Sequence, residues 1–487
     1  MHYNVVIVGS GITGSAIAME LSKYNISVAL LEKENDVAMH TTKANSGIVH
    51  SGYDPKPGTK MAYLNVLGNQ MIRELAPILN FHFNQIGSLV VGETAQDHKV
   101  INDLYDRGIK NGVPGLKILK TVREVHTLEP SLNPNIDYAL YAPTCGVVSP
   151  WEMCLAFANT AVINGVSFIN NCMVDDITKD GDVFHLNTTR GNIDADYVIN
   201  AAGLGADDLY QALLKDNKDK SFVIKACKGE YYLLDKDQGT LVNRVIFQTP
   251  SSLGKGVLVS PTVHGNLIVG PDANFDVKSK NDTSNSTMSL DYVRKMASKT
   301  TSSIMFAANI RNFAGERATV EGFDDFIIEE SPYVKGFINF AGIKSPGLTS
   351  APAFGIEAVK LLEGSGLKLT KKNKFEYYRL PTFFSNMSLE EKRQALAQNP
   401  SYGQVICRCE TVTEAEIINA MHQPIPATTI DAIKRRTNAG MGRCQGGFCG
   451  PKVFALIKEE FGLKYNEVYQ DKEGSTICVC KTKKEDK

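Results

Sequence analysis

Hydrophobic residues at the start of the chain fall into short runs separated by turns. Residues 3–8 and 26–31 are mostly apolar and β-branched, and residues 15–21, which lie between them, are small or apolar. Runs of this length predict two buried strands with a helix between them. Strands that alternate with helices predict an α/β fold built around a parallel sheet.

The turn after the first strand carries a glycine motif. Gly9, Gly11 and Gly14 have the spacing Gly-x-Gly-x-x-Gly, and Glu32 follows the second strand. The first glycine allows a tight turn, the second lets the backbone approach a pyrophosphate, and the third lets the helix pack against the sheet. The helix N-terminus favours phosphate, and an acid at Glu32 suits a ribose hydroxyl. The motif predicts a Rossmann-like dinucleotide site, with a purely structural glycine turn as the alternative. The predicted contacts also include Ile12, Thr13 and Lys33.

Two later segments favour FAD over NAD as the dinucleotide. Residues 196–203 form an apolar run that ends in small residues and Gly203, and residues 336–342 form another. The second run precedes a proline-rich turn and a predicted helix over residues 353–362, whose N-terminus suits a flavin. A motif at the very start of a long chain also favours a permanently bound cofactor. The alternative is that these segments are ordinary buried strands and a helix.

At these segments the chain resembles FAD-dependent oxidoreductases of the D-amino-acid-oxidase type. Within that group it resembles glycerol-3-phosphate oxidases and dehydrogenases, and L-2-hydroxyglutarate oxidases. The resemblance is carried by the glycine motif with Glu32, and by residues 41–52, 314–317 and 342–347. It implies further FAD contacts from Thr41, Thr42, Asn45, Ser46, Gly47, Ala202, Gly203, Gly342, Gly347, Leu348 and Thr349.

The polar run that ends at His50 is a candidate for the catalytic base. Oxidation of a secondary alcohol removes a proton from the hydroxyl, and a nearby histidine is a usual acceptor. The resemblance places His50 and Ser46 in the substrate pocket. A structural role for His50 is the alternative. The other eight histidines have no comparable context.

Cations near the predicted pocket are candidates for holding an anionic substrate. Arg317 follows a predicted strand in a Gly-Glu-Arg turn, and its planar fork suits a phosphate or carboxylate. The resemblance assigns Arg317 to the substrate's anionic group, with catalytic and binding roles, and adds Lys255 and Ser345 to the pocket. The alternatives are a surface ion pair for Arg317 and a solvated loop for Lys255. Lys228 could supply a second anion site or could be structural.

The middle of the chain predicts a second, separate layer. Residues 223–234, 256–260 and 267–270 are short apolar or alternating runs bounded by turn residues. They predict an antiparallel sheet that forms a cap over the substrate. The predicted FAD-binding domain comprises residues 1–80, 145–212 and 316–367, and the predicted cap comprises residues 81–144 and 213–315.

The composition changes in the last quarter of the chain, where six of the ten cysteines lie. Residues 368–400 predict a linker with a short charged helix over residues 389–397. Cys407 and Cys409 form one close pair of thiols, and Cys444 and Cys449 form another among several glycines. Two such pairs can converge on one soft metal site, and free backbone N–H groups can bond to cluster sulfides. Zinc and unligated thiols are the alternatives.

Residues 405–462 resemble the [2Fe–2S] domain of bacterioferritin-associated-ferredoxin type that is fused to flavin dehydrogenases, and the predicted domain comprises residues 401–462. The resemblance implies a [2Fe–2S] cluster on the four cysteines and a small helical domain. Residues 463–487 predict a charged tail, in which Cys478 and Cys480 are either plain exposed thiols or an accessory pair. The remaining four cysteines are interpreted as core or incidental residues.

Composition and charge exclude several functions. The chain has 487 residues, 52 Lys and Arg against 53 Asp and Glu, and a net charge of −1. No general positive field attracts nucleic acid. We expect no integral membrane segment and no secretory signal, and therefore a cytoplasmic location, with peripheral attachment at the cytoplasmic face of the membrane as an option.

Together these patterns predict an FAD enzyme that oxidises a small anionic 2-hydroxy substrate. The first candidate reaction is sn-glycerol 3-phosphate to dihydroxyacetone phosphate, with hydride transfer to flavin N5 and single electrons relayed through the cluster. The electron acceptor stays open among a quinone, a partner redox protein and O₂. L-2-hydroxyglutarate oxidation is the nearest alternative. A non-catalytic flavin and iron–sulfur subunit for electron transfer or redox sensing is the alternative from another class.

Overall fold

A computed structural model describes residues 1–250 and 256–480 of the chain. Its strands are β1 (His2–Val8), β2 (Val28–Leu31), β3 (Ile48–Val49), β4 (Phe83–Asn84), β5 (Ser88–Gly92), β6 (Lys117–Leu119), β7 (Tyr138–Ala142), β8 (Gly146–Val148), β9 (Ser167–Ile169), β10 (Val174–Asp180), β11 (Val183–Thr188), β12 (Gly191–Asn200), β13 (Ile224–Leu234), β14 (Val245–Gln248), β15 (Leu258–Pro261), β16 (Leu267–Gly270), β17 (Asn309–Val320), β18 (Ile327–Glu330), β19 (Phe337–Ala341), β20 (Val405–Cys407) and β21 (Val412–Thr413). Its α-helices are α1 (Ile12–Leu21), α2 (Lys60–Leu79), α3 (Ala95–Lys110), α4 (Val122–Leu128), α5 (Pro150–Ile163), α6 (Ala206–Leu214), α7 (Thr287–Ala297), α8 (Gly347–Ser365), α9 (Leu389–Gln398), α10 (Glu414–Met421), α11 (Ile430–Thr437) and α12 (Gly450–Glu460).

The first sheet is centred on the two N-terminal strands. Its order is β10-β11-β12-β1-β2-β9, and β19 joins it beside β12. The pairs β1–β12, β1–β2, β2–β9 and β12–β19 are parallel. Helices α1, α5 and α8 pack together on it through a core that includes Leu21, Phe157 and Phe354. The predicted α/β class and the strands over residues 196–203 and 336–342 are therefore confirmed.

The second sheet has the order β17-β13-β16-β15-β14-β5-β7-β6. Most of its pairs are antiparallel, as the sequence predicts, but β14 and β5 run parallel. This correction arises because β5 and β14 are distant in sequence and no hairpin turn joins them, so no turn forces them to run antiparallel.

Strand β17 corrects two predictions. Arg317 lies within this strand, paired with Cys227 of β13, and not in a turn. The predicted domain boundary between residues 315 and 316 also falls inside β17. A continuous ladder with β13 holds the strand extended, and such long-range pairing overrides the local turn signal of Gly-Glu-Arg.

The C-terminal segment forms a small helical unit around the hairpin β20–β21 and helices α10, α11 and α12, with its own apolar core. Arg435 and Arg436 of α11 lie buried against Asp36, at 2.9 and 2.8 Å. Burial raises the pKa of Asp36, but charge interactions and hydrogen bonds with the two arginines hold that pKa well below its usual value. Removing one partner of such a buried pair costs about 3–5 kcal/mol, so this contact fixes the unit onto the first sheet.

Among residues 1–250 and 256–480, no helix combines the length and the apolar character that crossing a bilayer requires.

Candidate active site

The glycine motif forms a close-packed turn between β1 and α1. Gly9 has a φ of +104°, and a Cβ at this residue would lie 2.5 Å from the carbonyl oxygen of Ala201. A Cβ at Gly14 would lie 1.9 Å from the carbonyl oxygen of Gly9. Only glycine fits at either residue, and the N-terminus of α1 is thereby brought directly against the turn.

Glu32 stands at the end of β2 as predicted, and its carboxylate is held in place. One carboxylate oxygen accepts hydrogen bonds from the backbone N–H and the hydroxyl of Ser10, at 2.9 and 2.8 Å. The other accepts from the backbone N–H of Glu34 at 3.1 Å. The bonds to Ser10 link Glu32 to the glycine turn, so the end of β2 and the turn are held in a fixed relative position at the dinucleotide slot.

The polar loop of residues 41–47 closes the slot from the opposite side. The Asn45 amide donates to the carbonyl oxygens of Thr41 and Thr42, and its oxygen accepts from the N–H of Gly47 at 2.8 Å. The Thr42 hydroxyl accepts from the N–H of Ile12 at 3.0 Å, which connects the loop to α1. The loop is therefore shaped by its own side-chain bonds and needs no regular secondary structure.

A single cavity of about 1320 Å³ runs along the slot and under the second sheet. This exceeds the usual 300–1,000 Å³ of a small-molecule pocket and has room for a dinucleotide and a small substrate. The predicted residues that line it are Gly9, Gly11, Ile12, Thr13, Glu32, Lys33, Thr41, Thr42, Asn45, Ser46, His50, Ala202, Gly203, Arg317, Ser345, Gly347 and Leu348. Four predicted residues are not part of the lining: Gly14, Gly47, Gly342 and Thr349.

His50 is fixed from several directions within the cavity wall. Its backbone N–H donates to the Thr349 hydroxyl at 2.9 Å, and its carbonyl oxygen accepts from the amide of Asn65 at 2.8 Å. Its Nε2 lies 3.1 Å from the hydroxyl oxygen of Ser345, and its ring stacks on Phe247 at 5.8 Å between centroids. The imidazole is thus positioned by Ser345 in the turn after β19 and by Phe247 of β14.

Arg317 is anchored with part of its guanidinium directed to the cavity. Nη1 donates to the sulfur of Cys227 at 3.2 Å and Nη2 donates to the carbonyl oxygen of Asp272 at 3.1 Å. Burial lowers the pKa of Arg317, but its interactions with Tyr231 and Cys227 raise it by more, so the guanidinium stays charged. Tyr231 is buried, bonds to Arg317 and Ser46, and stacks on Phe313 at 4.6 Å.

Three of these neighbours, Cys227, Tyr231 and Phe247, were not predicted from the sequence. Cys227 is predicted as a core or incidental residue; it is buried as a core residue is, and its sulfur also accepts from Arg317. Alternation along the predicted strand over residues 223–234 places positions 227 and 231 on one face. That alternation was an available signal, but only knowledge of the β13–β17 pairing shows that the face meets Arg317.

The two predicted lysines have different outcomes. Lys255 lies outside the described residues. Lys228 is buried, and its ammonium donates to the carbonyl oxygen of Ser284 at 2.9 Å and faces Asp282 at 3.4 Å and Glu230 at 3.6 Å. Lys228 is therefore structural and supplies no second anion site.

The four cysteines of the C-terminal unit come together as two pairs. The sulfurs of Cys409 and Cys444 lie 3.7 Å apart, and the thiols of Cys407 and Cys449 are hydrogen-bonded. Among the described residues, no three of these sulfurs lie within 4.8 Å of one another. A tetrahedral zinc site needs all four sulfurs about 3.8 Å apart, whereas a [2Fe–2S] cluster is held by four thiolates spread over two irons. The geometry therefore favours the two-iron cluster over zinc.

One thiol in each pair is disposed to ionise. The hydrogen bond from Cys449 lowers the pKa of Cys407 to about 6, and the backbone N–H of Phe448 contributes most to lowering the pKa of Cys444. A Cβ at Gly442 would lie 2.3 Å from the Cβ of Cys409, so the loop closes tightly there. Thiolates are the form that binds iron, and the residues present fit the cluster.

Two family models match the chain. The model described as FAD dependent oxidoreductase matches residues 4–361, and the model described as BFD-like [2Fe-2S] binding domain matches residues 405–459. These matches cover the cavity and the four-cysteine unit respectively. The cofactors of the chain are therefore FAD and a [2Fe–2S] cluster.

Several known proteins are similar to this chain. A glycerol 3-phosphate dehydrogenase of Caloramator mitchellensis is 46% identical over 99% of both chains. The solved structure of a dithionite-reduced L-alpha-glycerophosphate oxidase from Mycoplasma pneumoniae with FAD bound has a TM-score of 0.74 and 32% identity, and the match covers 79% of this chain and all of that one. An L-2-hydroxyglutarate dehydrogenase of Indibacter alkaliphilus is 30% identical over 56% of this chain and 68% of its own length.

Proposed function

Because this chain belongs to the FAD-dependent oxidoreductase family and carries a BFD-like [2Fe–2S] domain, we propose that it oxidises sn-glycerol 3-phosphate to dihydroxyacetone phosphate. The observation that carries the proposal is the placement of His50, Ser46, Ser345 and Arg317 around one cavity beside the dinucleotide slot. The 46% identity to a glycerol 3-phosphate dehydrogenase over the whole chain supports the same substrate.

The chemistry needs a base for one proton. Converting a secondary alcohol to a ketone removes a hydride from carbon and a proton from the hydroxyl. FAD, when bound, would supply the two-electron acceptor for the hydride. His50 accepts the hydroxyl proton at Nε2, the ring nitrogen that already faces the Ser345 hydroxyl at 3.1 Å. Ser345 keeps this nitrogen oriented until the substrate hydroxyl arrives.

The phosphate of the substrate needs a cation in the cavity, and Arg317 is placed to serve. Cys227 and the carbonyl oxygen of Asp272 fix one edge of its guanidinium, so little side-chain entropy is lost on binding. Two other cations of the wall are already paired: Lys344 with Asp324, and Lys280 with Asp207 and Asp208. A substrate with one strongly anionic end matches this arrangement.

The pairing of Lys228 weighs against L-2-hydroxyglutarate. A diacid needs a second anion site, and Lys228, the residue considered for it, is committed to Asp282 and Glu230. Identity to the L-2-hydroxyglutarate dehydrogenase is also lower and covers only part of the chain. Glycerol 3-phosphate is therefore the favoured substrate.

The cluster gives the enzyme an outlet for single electrons. A [2Fe–2S] cluster, when bound, accepts one electron at a time, which suits relay from a two-electron flavin to an acceptor. The cluster loop lies against the second sheet, where Arg311 of β17 donates to the Gln445 side chain at 3.2 Å and Lys236 pairs with Glu410 at 2.7 Å. Strand β17 runs from this contact to Arg317, so one element links the two sites.

An anaerobic flavin-bleaching screen tests the proposal. We expect sn-glycerol 3-phosphate to reduce the bound flavin, seen as loss of its absorbance, and L-2-hydroxyglutarate to leave it oxidised. Bleaching by L-2-hydroxyglutarate alone would transfer the assignment to that substrate. No bleaching by any 2-hydroxy substrate, in protein that dithionite still reduces, would instead favour the non-catalytic electron-transfer subunit.

The Arg317→Lys variant tests the anion site. Lysine keeps the charge but loses the fork that bonds to phosphate, and a charge-assisted hydrogen bond contributes about 1.5–3 kcal/mol. We therefore expect kcat/KM for glycerol 3-phosphate to fall about 10- to 100-fold, mainly through KM. Arg294→Lys on the surface helix α7 is the matched control, and it should leave both constants unchanged. An unaltered KM in Arg317→Lys would contradict the role.

A further inference from the structure

A second cluster of potential ligands lies away from the flavin cavity. His82 follows α2, Glu152 is in the first turn of α5, and His264 lies between β15 and β16. One ring or carboxylate atom from each lies within 4.8 Å of those of the other two. His82 Nδ1 is 2.7 Å from Glu152 Oε2, and His264 Nε2 is 3.1 Å from Glu152 Oε1.

The contact between His264 and Glu152 is close but is not aligned as a hydrogen bond. Glu152 Oε1 and His264 Nε2 are both buried, and neither has a hydrogen-bond partner among the described residues. The Glu152 side chain is only 4% exposed. A buried carboxylate oxygen and a buried ring nitrogen that face each other without a bond form an incomplete site, since such atoms are nearly always satisfied.

The outer ring nitrogens of both histidines face amides. His82 Nε2 is 3.1 Å from the amide of Asn386, and His264 Nδ1 is 3.2 Å from the amide of Asn438. Metal-binding histidines characteristically donate their other ring N–H to an oxygen. An asparagine amide presents its oxygen in place of its nitrogen when the amide group rotates by half a turn. The Asn438 amide oxygen is buried and has no partner among the described residues, so it is available for this bond.

Charge also favours a cation at this place. Among the described residues, the ion pairs of Glu152 are with these histidines alone. Its negative charge is therefore balanced only if an imidazole is protonated or if a metal ion is bound.

We propose that His82 Nδ1, the Glu152 carboxylate and His264 Nε2 bind a divalent transition-metal ion of the Zn²⁺ type. Two imidazoles and one carboxylate are ligands that Zn²⁺ prefers. Ligand atoms in a tetrahedral site of this kind lie about 3.4 Å apart, close to the 2.7 and 3.1 Å that separate Glu152 from the two histidines. Phe383 lies over the His82 ring at 4.9 Å and Trp151 stacks on His264 at 6.4 Å, so aromatic rings cover both imidazoles.

The ion would connect distant parts of the chain. His82 and Glu152 belong to segments packed with the first sheet, His264 belongs to the second sheet, Asn386 precedes α9, and Asn438 caps α11 of the iron–sulfur unit. Metal binding thus fixes the iron–sulfur unit against both sheets. This role is independent of which substrate the flavin site oxidises.

Zinc binding to the intact protein tests the proposal. Holoprotein with FAD and the [2Fe–2S] cluster is treated with chelator and then titrated with Zn²⁺ by calorimetry, while the visible spectrum reports that the cluster stays intact. We expect one Zn²⁺ per chain, a rise in Tm, and X-ray absorption showing nitrogen and oxygen ligands at about 2.0–2.1 Å. Lowering the pH from 7.5 to 5.5 should weaken binding, because protons compete for the imidazoles.

Variants assign the ligands. His264→Gln should lower Zn²⁺ affinity by at least about 100-fold, and Asn438→Ala by about 10- to 100-fold. His422→Gln is the matched control, because His422 also pairs with a glutamate, Glu460, but lies alone on the surface. Absence of binding, sulfur ligands at about 2.3 Å, or wild-type affinity in His264→Gln would each overturn the proposal. If His264→Gln fails to retain FAD, the X-ray absorption distances from Zn²⁺ to its ligands in the wild-type protein decide whether the proposal holds.

Discussion

Replacing His50 by asparagine is expected to slow the reduction of bound flavin by glycerol 3-phosphate by about 10²–10⁴-fold, the usual loss when a general base is removed. Asparagine keeps the approximate shape and can still bond to Ser345, but it cannot accept a proton. Stopped-flow mixing under anaerobic conditions measures the step directly. FAD should stay bound, because His50 contributes to the cavity wall mainly through its backbone bonds to Thr349 and Asn65.

A matched variant separates this effect from the general loss of a histidine. His185 lies on the exposed face of β11, where it pairs with Asp194 at 2.7 Å. His185→Asn should reduce its flavin at the wild-type rate. Wild-type flavin reduction in His50→Asn would show that the proton leaves by another route, and loss of FAD from that variant would show that His50 supports the cofactor slot.

The sequence could predict those features of the site whose geometry is set by a few consecutive residues. The glycine motif, Glu32 and the four-cysteine spacing each encode a local geometry, and the structure places the first two in one slot and the thiols in two pairs. His50, predicted as the base from its imidazole chemistry and from the family resemblance, lines the same cavity. Local constraint of this kind depends on a few consecutive backbone angles, and single sequences carry it well.

Residues that act across strands could not be predicted. Arg317 was identified by its chemistry, but its place in a strand depends on pairing with Cys227, ninety positions away in the chain. Tyr231 reaches Arg317 and Ser46 only after β13 and β17 have paired. The His82, Glu152 and His264 cluster needs three segments to meet. Such contacts follow from packing free energy summed over the whole molecule, and no local pattern records them.

Replacing Cys444 by serine is expected to abolish the visible absorbance of the [2Fe–2S] cluster and electron transfer to the acceptor, while anaerobic flavin reduction by substrate continues. Cys444 is one of the four predicted thiolate ligands, and its pKa is lowered chiefly by the backbone N–H of Phe448, so it would supply a thiolate that serine cannot replace at neutral pH. The flavin cavity contains no part of this loop among its described lining residues. In Cys444→Ser the reduction of flavin by substrate should therefore continue, while turnover with the acceptor should be lost.

The control for this prediction is Cys480→Ser in the C-terminal tail, an exposed thiol that should leave the cluster spectrum unchanged. The separation has a physical origin. Asp36, Arg435 and Arg436 hold the iron–sulfur unit in place by buried ion pairs that do not involve the cluster, so losing the iron need not release the unit. If flavin reduction fails together with the cluster in Cys444→Ser, then the cluster supports the fold of the flavin site, and the two sites are not separable steps of one relay.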